Sequence, residues 1–367
     1  MNRQEPPAPL TKVKTEGDET YDRAGGNEST GQGLVEVVFS GRLGGIRGFV
    51  FPYALYGADQ FAVVEDGKVI AALQRIPYPM TFAGDVLPTA YISGACTHPD
   101  SRGKGVMRSL LAEAHRQMYR EGVVLSTLIP AEESLRLYYD RSGYALCFQQ
   151  DEKLLTGKCL IVDKYSSLLR FSEIDSDKFL SDEVWNFFYE QQRKRPCALL
   201  HTREDMQAVL TDWIMSGGQV WAAFSAETPV GVAFCLGTGE DLQVRELLAS
   251  DPQTENQLEV FLLRHYGADR LLRRFPSGGN GEFRGMARVI RVQSLLALWS
   301  RLHPQPLNIR VTGDDTFPEN NGDFRVEEGS CCRIQAVTPN VDRVYDIRQL
   351  PAFLFAGLHP FMNLMMD

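Results

Sequence analysis

No stretch of this 367-residue chain holds an unbroken apolar run long enough to cross a bilayer, which takes roughly 20 residues. The chain therefore reads as a protein without a membrane partner. Positive charge is also in short supply. Against 38 Lys and Arg stand 47 Asp and Glu, a net charge of −9, which argues against nucleic acid as the main partner. The acidic balance mildly favours a cationic one. Paired cysteine spacing is missing too: the seven cysteines are an odd set with no repeated CxxC, and Cys331 and Cys332 are adjacent. That excludes a disulfide framework and a structural metal, and predicts a reduced, cytoplasmic protein with no metal site. The opening residues, MNRQEPPAPLTKVKTEGDET, lack the apolar core of a signal peptide.

What is present is a globular composition, with 44% hydrophobic and 23% charged residues over a length sufficient for two or three domains. Residues 1–33 are rich in Pro, Gly, Glu, Thr and Asn and read as disordered. Residues 34–60 are apolar and glycine-rich but keep neither the strand nor the helix period. Segment 1–60 is therefore read as disordered or translated out of frame. In a neighbouring frame, compatible codons encode a helical run with an N-cap signature.

From Phe61 the pattern is regular. FAVVEDGKVIAALQRIPYPM predicts strand, Asp-Gly turn, strand, and VLPTAYISGACTHP predicts another strand. Across residues 105–121, Val106, Leu110, Leu111, Ala114 and Met118 share one helical face. VVLSTLIP reads as a buried strand, and AEESLRLYYDRSGY as a short helix ending at Gly143. The middle of the chain repeats the plan: QVWAAFSAETPVGVAFCLG, DLQVRELLASD and NQLEVFLLRHYGADRLLRRF give two strands, a third strand, then a helix. The last part reads as strand–helix, three further strands and an apolar terminal helix, IRQLPAFLFAGLHPFMNLMMD. Its apolar residues from Leu350 to Met365 require burial. The expected class is α/β (α+β), with two mixed-sheet units in tandem and a C-terminal α/β module.

One stretch carries chemistry. In THPDSRGKGVMRSLLAEAHRQMYREG, residues 97–122, Arg102, Gly103, Lys104 and Gly105 open directly onto the amphipathic helix. Glycines there serve backbone angles alone, or they form an anion cradle of amide N–H groups at a helix start. The equivalent stretch of the middle repeat, SDPQTEN, has no glycine and two acids, and would repel a pyrophosphate.

A strand before RGKGVM, a long helix, a strand and a short helix with tyrosines resemble the core order of the Gcn5-related N-acetyltransferases (GNAT) over residues 91–144. The whole plan over residues 61–367 resembles the Eis-like (enhanced intracellular survival) acetyltransferases, with echoes in YYDRSGY, TFPENNGDFRV and the apolar tail ending at Asp367. That resemblance implies a catalytic acetyltransferase domain at 61–150. It also implies a second GNAT-like domain without the cofactor loop at 151–285, and a sterol-carrier-protein-like domain at 286–367. It implies acetyl-CoA as co-substrate, bound through Ser93, Gly94, Ala95, Arg102, Gly103, Lys104, Gly105, Val106, Met107 and Ser134. Tyr139 is implied as the acid that protonates the departing thiolate, and the chain's terminal carboxylate, at Asp367, as the base. One departure stands: the family often has Gln or Arg three positions before the first glycine, where this chain has Asp100.

Plain readings accompany these. Tyr138 and Tyr139 are packing residues or catalytic ones. Cys96 beside the turn invites a nucleophile reading, but with no activating base evident it reads as a buried strand cysteine, and His98 is structural or loop-exposed. Glu132 and Glu133 complement a helix dipole or line an amine cleft. The run RKR at 193–195 is a solvated helix end. The expected activity is acetyl transfer from acetyl-CoA to a primary amine, of a cationic small molecule or peptide, by direct attack in a ternary complex. Self-association into a homo-oligomer is left open. The alternatives are a non-catalytic binding or scaffold protein using the C-terminal module, and an inactive product of a frameshifted gene.

Overall fold

A computed structural model of the chain describes residues 35–40, 59–156, 169–238, 241–279, 281–335 and 340–365. In chain order the elements begin with strands β1 (Val35–Ser40), β2 (Asp59–Glu65) and β3 (Lys68–Ile76), and a small hairpin of β4 (Met80–Phe82) and β5 (Asp85–Leu87). Strand β6 (Thr89–Thr97), helix α1 (Val106–Arg120), β7 (Leu125–Leu128), α2 (Arg136–Asp140) and β8 (Ala145–Thr156) complete the first repeat. Then come β9 (Leu169–Glu173), α3 (Ser176–Phe179), α4 (Asp182–Arg193), α5 (Arg203–Met215), β10 (Gln219–Ser225) and β11 (Thr228–Thr238). They lead to β12 (Asp241–Ala249), α6 (Pro252–Tyr266), β13 (Arg270–Pro276) and β14 (Glu282–Val289). The last elements are α7 (Val292–Trp299), β15 (Leu307–Thr312), β16 (Gly322–Glu327), β17 (Ser330–Arg333), β18 (Arg343–Asp346) and α8 (Leu350–Leu354).

The chain divides into two units, Met1–Ile76 with Ile92–Gln117, and Pro77–Tyr91 with Met118–Asp367. In the first, β2 and β3 form the expected antiparallel hairpin. Its turn residues Asp66 and Gly67 both have positive φ, 49° and 73°, the backbone a two-residue hairpin turn requires. β1 adds to β2 antiparallel. Most of the 1–60 segment lies outside the described residues; its described part is β1 and the first residues of β2. The His98 amide donates to the Ile70 carbonyl at 2.8 Å, which ties the end of β6 to β3. Phe61, Leu73, Leu110, Leu111 and Ala114 are buried here.

In the second unit the first residues of β6 pair in parallel with β7, from Thr89↔Leu125 to Tyr91↔Thr127. The sheet continues β7-β14-β8-β13-β12-β11-β10-β9. The crossover β12–α6–β13 gives a second parallel pair, Asp241↔Arg270 to Val244↔Arg273, so the repeat read from sequence is also a repeat of topology. Strand alternation accounts for its two cores. Val220, Ala222 and Phe224 of β10 join α4 and α5 in one cluster. Trp221 and Ala223 join Leu258 and Leu262 of α6 in the other. β15 to β18 form a separate four-stranded sheet in the order β17-β16-β15-β18.

Three local readings change. The boundary read at 285/286 falls inside β14, which lies wholly within the large sheet, between β7 and β8. The second-repeat helix begins inside SDPQTEN, because Asp251 caps it and Pro252 occupies its first turn. The terminal helix covers only Leu350–Leu354. Gly357 and His359 take positive φ, 74° and 51°, and Pro360 has no N–H for a helix to use. The tail is apolar and none of its named residues is exposed: Leu350, Leu354, Phe355 and Phe361 are buried, and Phe353, Leu358, Leu364 and Met365 are half-buried.

Candidate active site

In the first unit, residues 93–107 form a strand, a tight turn and a helix start. Gly94, in mid-strand, has a φ of 59°, a left-handed angle that interrupts the pleat. Ser93 and Ala95 beside it are half-buried. The turn is internally braced: Arg102 Nε donates to the Thr97 carbonyl at 3.2 Å, and the Asp100 amide donates to His98 Nδ1 at 3.3 Å. His98 is therefore structural, as one of its readings held.

Gly103 and Gly105 have φ of 74° and 80°. A Cβ at either would meet no atom within 4 Å, so these glycines answer to backbone angle and face open space. The Ser109 amide donates to the Gly105 carbonyl at 3.0 Å and closes the first turn of α1. The amides of Val106, Met107 and Arg108 precede that bond and have no intrahelical acceptor. That first turn contains no acidic residue, while Arg102, Lys104 and Arg108 are exposed. Donor amides, three cations and vacant space over two glycines fit a pyrophosphate. Cys96 is half-buried rather than buried as expected, and burial raises its thiol pKa, which lowers its thiolate fraction.

Ser134 and Tyr139 belong to the second unit. Ser134 is exposed in a single 3-10 turn and its Oγ donates to Glu132 Oε2 at 3.2 Å. Glu132 and Glu133 are exposed at the start of that turn. Tyr139 is buried on α2, edge-on to Tyr138 and Tyr144 with ring centroids at 5.3 and 5.9 Å. Burial first, then the neighbouring Tyr138, pushes its phenol pKa up to about 12. At neutral pH it holds its proton and is a donor. Beneath it, Tyr144 and Ser126 hydroxyls lie 2.7 Å apart.

Sequence reading missed the residue that fixes this helix. Arg288 of β14 donates to the Ser142 carbonyl and, at 2.7 Å, to Asp314 Oδ1. A Cβ at Gly143 would lie 1.9 Å from the Arg288 guanidinium, so the glycine of YYDRSGY makes room for this arginine. Asp314 also accepts from the amides of Thr316 and Phe317 and from Asn320 Nδ2. The TFPENNG stretch is thus a braced loop that holds Arg288.

The second repeat has acids at its helix start where the first has Gly103 and Gly105. Asp251 accepts from the Thr254 amide at 2.8 Å and is held to about 2 by its hydrogen bonds, that from Ser250 foremost. Glu255 and Glu259 of α6 both engage Arg273. Arg195 is also placed otherwise than expected: Arg193 and Lys194 are exposed, but Arg195 forms a bidentate pair with buried Glu246 at 2.9 and 2.7 Å. A run of basic residues does not reveal a partner 51 positions away. Asp367 lies outside the described residues. Among the described residues no helix is long and apolar enough to cross a membrane.

Residues 48–147 match the family model for the acetyltransferase (GNAT) domain. The chain is an acyltransferase, and the co-substrate of this domain class is acetyl-CoA or another acyl-CoA. No curated protein matches it in sequence. Among solved structures it is similar to a probable N-acyltransferase from Enterococcus faecalis V583, at 17% identity and a TM-score of 0.68 over 83% of each chain. It is similar to a GCN5-related N-acetyltransferase from Anabaena variabilis, at 15% identity and TM-score 0.67 over 83% of this chain and 89% of that one. Eis1 from Mycobacterium abscessus aligns at 15% identity and TM-score 0.64 over 80% of each chain. At these identities the likeness is one of fold.

Proposed function

We propose that the protein transfers an acetyl group from acetyl-CoA to a primary amine by direct attack in a ternary complex. The observation that carries this reading is the start of α1: donor amides, no acid in the first turn, and two left-handed glycines that leave space above them. Acetyl-CoA supplies an activated thioester. In this proposal the amides of Val106 and Met107, with Arg102, Gly103, Lys104 and Gly105, hold the pyrophosphate. The backbone of Ser93, Gly94 and Ala95 pairs with the pantetheine arm and donates to the developing oxyanion, and Ser134 contributes a cofactor contact. Tyr139, which keeps its proton far above neutral pH, donates to the leaving sulfur. The terminal carboxylate at Asp367 takes the proton from the ammonium substrate.

The Eis-like arrangement is part of the same proposal: a catalytic domain at 61–150, then a GNAT-like domain without the cofactor loop, and a sterol-carrier-protein-like domain that starts after β14 (Glu282–Val289) rather than at residue 286. The acidic start of α6 supports the second assignment. The small sheet with its parallel β15–β18 pair supports the third. The net charge of −9 favours a cationic amine. The test is a panel of polyamines, aminoglycosides and lysine peptides with acetyl-CoA, read by release of free thiol. Amine-dependent thiol release supports the proposal, and its absence across the panel with acetyl-CoA bound contradicts it.

A further inference from the structure

The tail is held by more than apolar contact. The Gln149 amide donates to the Pro360 carbonyl at 3.3 Å. Phe361 exchanges two main-chain bonds with the 197–199 segment, its amide donating to Cys197 at 2.9 Å and its carbonyl accepting from Leu199 at 3.0 Å. Arg195 lies over its ring at 4.7 Å. A Cβ at Gly285 would come within 2.6 Å of the Met362 sulfur, so β14 admits the tail closely. Asn363 then meets two buried charge centres. Its Nδ2 donates to the Arg245 carbonyl and, at 3.4 Å, to Glu246 Oε2. Its carbonyl lies 2.9 Å from His201 Nε2, and His201 Nδ1 lies 3.2 Å from Asp205 Oδ2.

His201, Asp205 and Glu246 are at most 2% exposed. A tail that only covered apolar surface would not require ionisable groups taken out of water, a desolvation cost that pairing must offset. The proton count is decisive at His201. Both of its partners, the Asp205 carboxylate and the Asn363 carbonyl, are acceptors, and a neutral imidazole has one N–H. Only the imidazolium donates to both. The Thr202 hydroxyl donates to Asp205 Oδ1 at 3.2 Å and accepts from the Asp205 amide at 3.3 Å, which holds the carboxylate in place. Around the imidazole, Tyr78 faces it edge-on at 4.9 Å, and Glu246, paired with Arg195, adds negative charge from β12.

We infer that His201 and Asp205, with the Arg195–Glu246 pair, are positioning residues that clamp the tail at Asn363 and make its seating depend on a protonated His201. Only the catalytic purpose of that seating rests on the proposed role of the terminal carboxylate. The four residues beyond Asn363 span at most about 14 Å, so a fixed Asn363 confines where that carboxylate reaches. Burial alone would lower the His201 pKa, but Asp205, the Asn363 carbonyl and Glu246 outweigh it and raise it above 6.5. The clamp is therefore complete below 6.5 and is lost as pH rises through the raised value.

The test is amide hydrogen exchange of residues 361–365 on the full chain, corrected for intrinsic rate, from pH 6 to 9. Protection in the unaltered protein should fall by about tenfold per pH unit within the interval above 6.5. In Asp205→Asn the new amide donates to His201 Nδ1, so a neutral ring satisfies both partners and the fall should vanish. His201→Gln, which does not titrate, should also give a flat profile. A flat profile in the unaltered protein, or an unchanged fall in both variants, overturns the clamp. A parallel turnover assay on a chain extended by two residues separates the two ideas. An extension without effect on turnover removes the carboxylate from the chemistry and leaves the clamp standing.

Discussion

Arg288 Nη2 donates to Asp314 Oδ1 at 2.7 Å with both side chains closed to solvent, joining β14 to the loop before β16. Arg288 also holds the Ser142 carbonyl at the end of the Tyr139 helix. Asp314→Ala would strand a buried guanidinium, and removing one partner of such a pair costs about 3–5 kcal/mol. Denaturant unfolding should show that loss, and Arg288→Met combined with Asp314→Leu should cost less than Asp314→Ala alone. A single variant as stable as the parent would mean the pair does not brace this region.

Much of this fold is legible in local pattern. Asp66-Gly67 announces the first hairpin, and the face made by Leu110, Leu111 and Ala114 announces α1. The glycine at 143 marks the end of α2. The charge pairs that set the site are not local: Asp314 is 26 positions from Arg288, and Glu246 is 51 from Arg195. Sequence reading reaches the segment from α3 to α5 only at the basic run that closes α4, although Thr202 and Asp205 form a cap pair that announces α5. The tail misled because its apolar residues resemble a helical stripe. Gly357 and Pro360 break that stripe, and main-chain pairing at Phe361 takes over. The cradle glycines were visible, but their left-handed angles were not.

Tyr139→Phe removes the proposed acid and little volume. Turnover should fall by about 10²–10⁴-fold while acetyl-CoA affinity stays within a factor of two or so. Because burial pushes the phenol pKa up to about 12, it stays protonated through pH 10, and an alkaline decline below that belongs to another group. An equal loss of turnover and cofactor affinity would instead mark Tyr139 as a packing residue.

The second repeat should bind no cofactor of its own, since Asp251 caps α6 and Glu255 lies in its first turn. Calorimetric titration should give one acetyl-CoA per chain. Two equivalent sites would contradict the assignment.

Residues appended after Asp367 should slow turnover by at least about tenfold through displacement of the terminal carboxylate, with folding and cofactor affinity nearly intact. Removing Asp367 alone should also slow it. Equal turnover by extended and unextended enzyme on the same amine would pass the base role to a side chain or water.

The most direct test of the acyltransferase site is acetyl-CoA binding by calorimetry to the unaltered chain, Gly103→Glu and Gly105→Glu. Each substitution puts a carboxylate beside the donor amides and forces a residue with a Cβ into a φ above 70°. One saturable site in the unaltered chain, lost or weakened by at least about 100-fold in each variant, is the predicted result. Unchanged affinity in both folded variants would contradict the account and return the turn to a purely structural role.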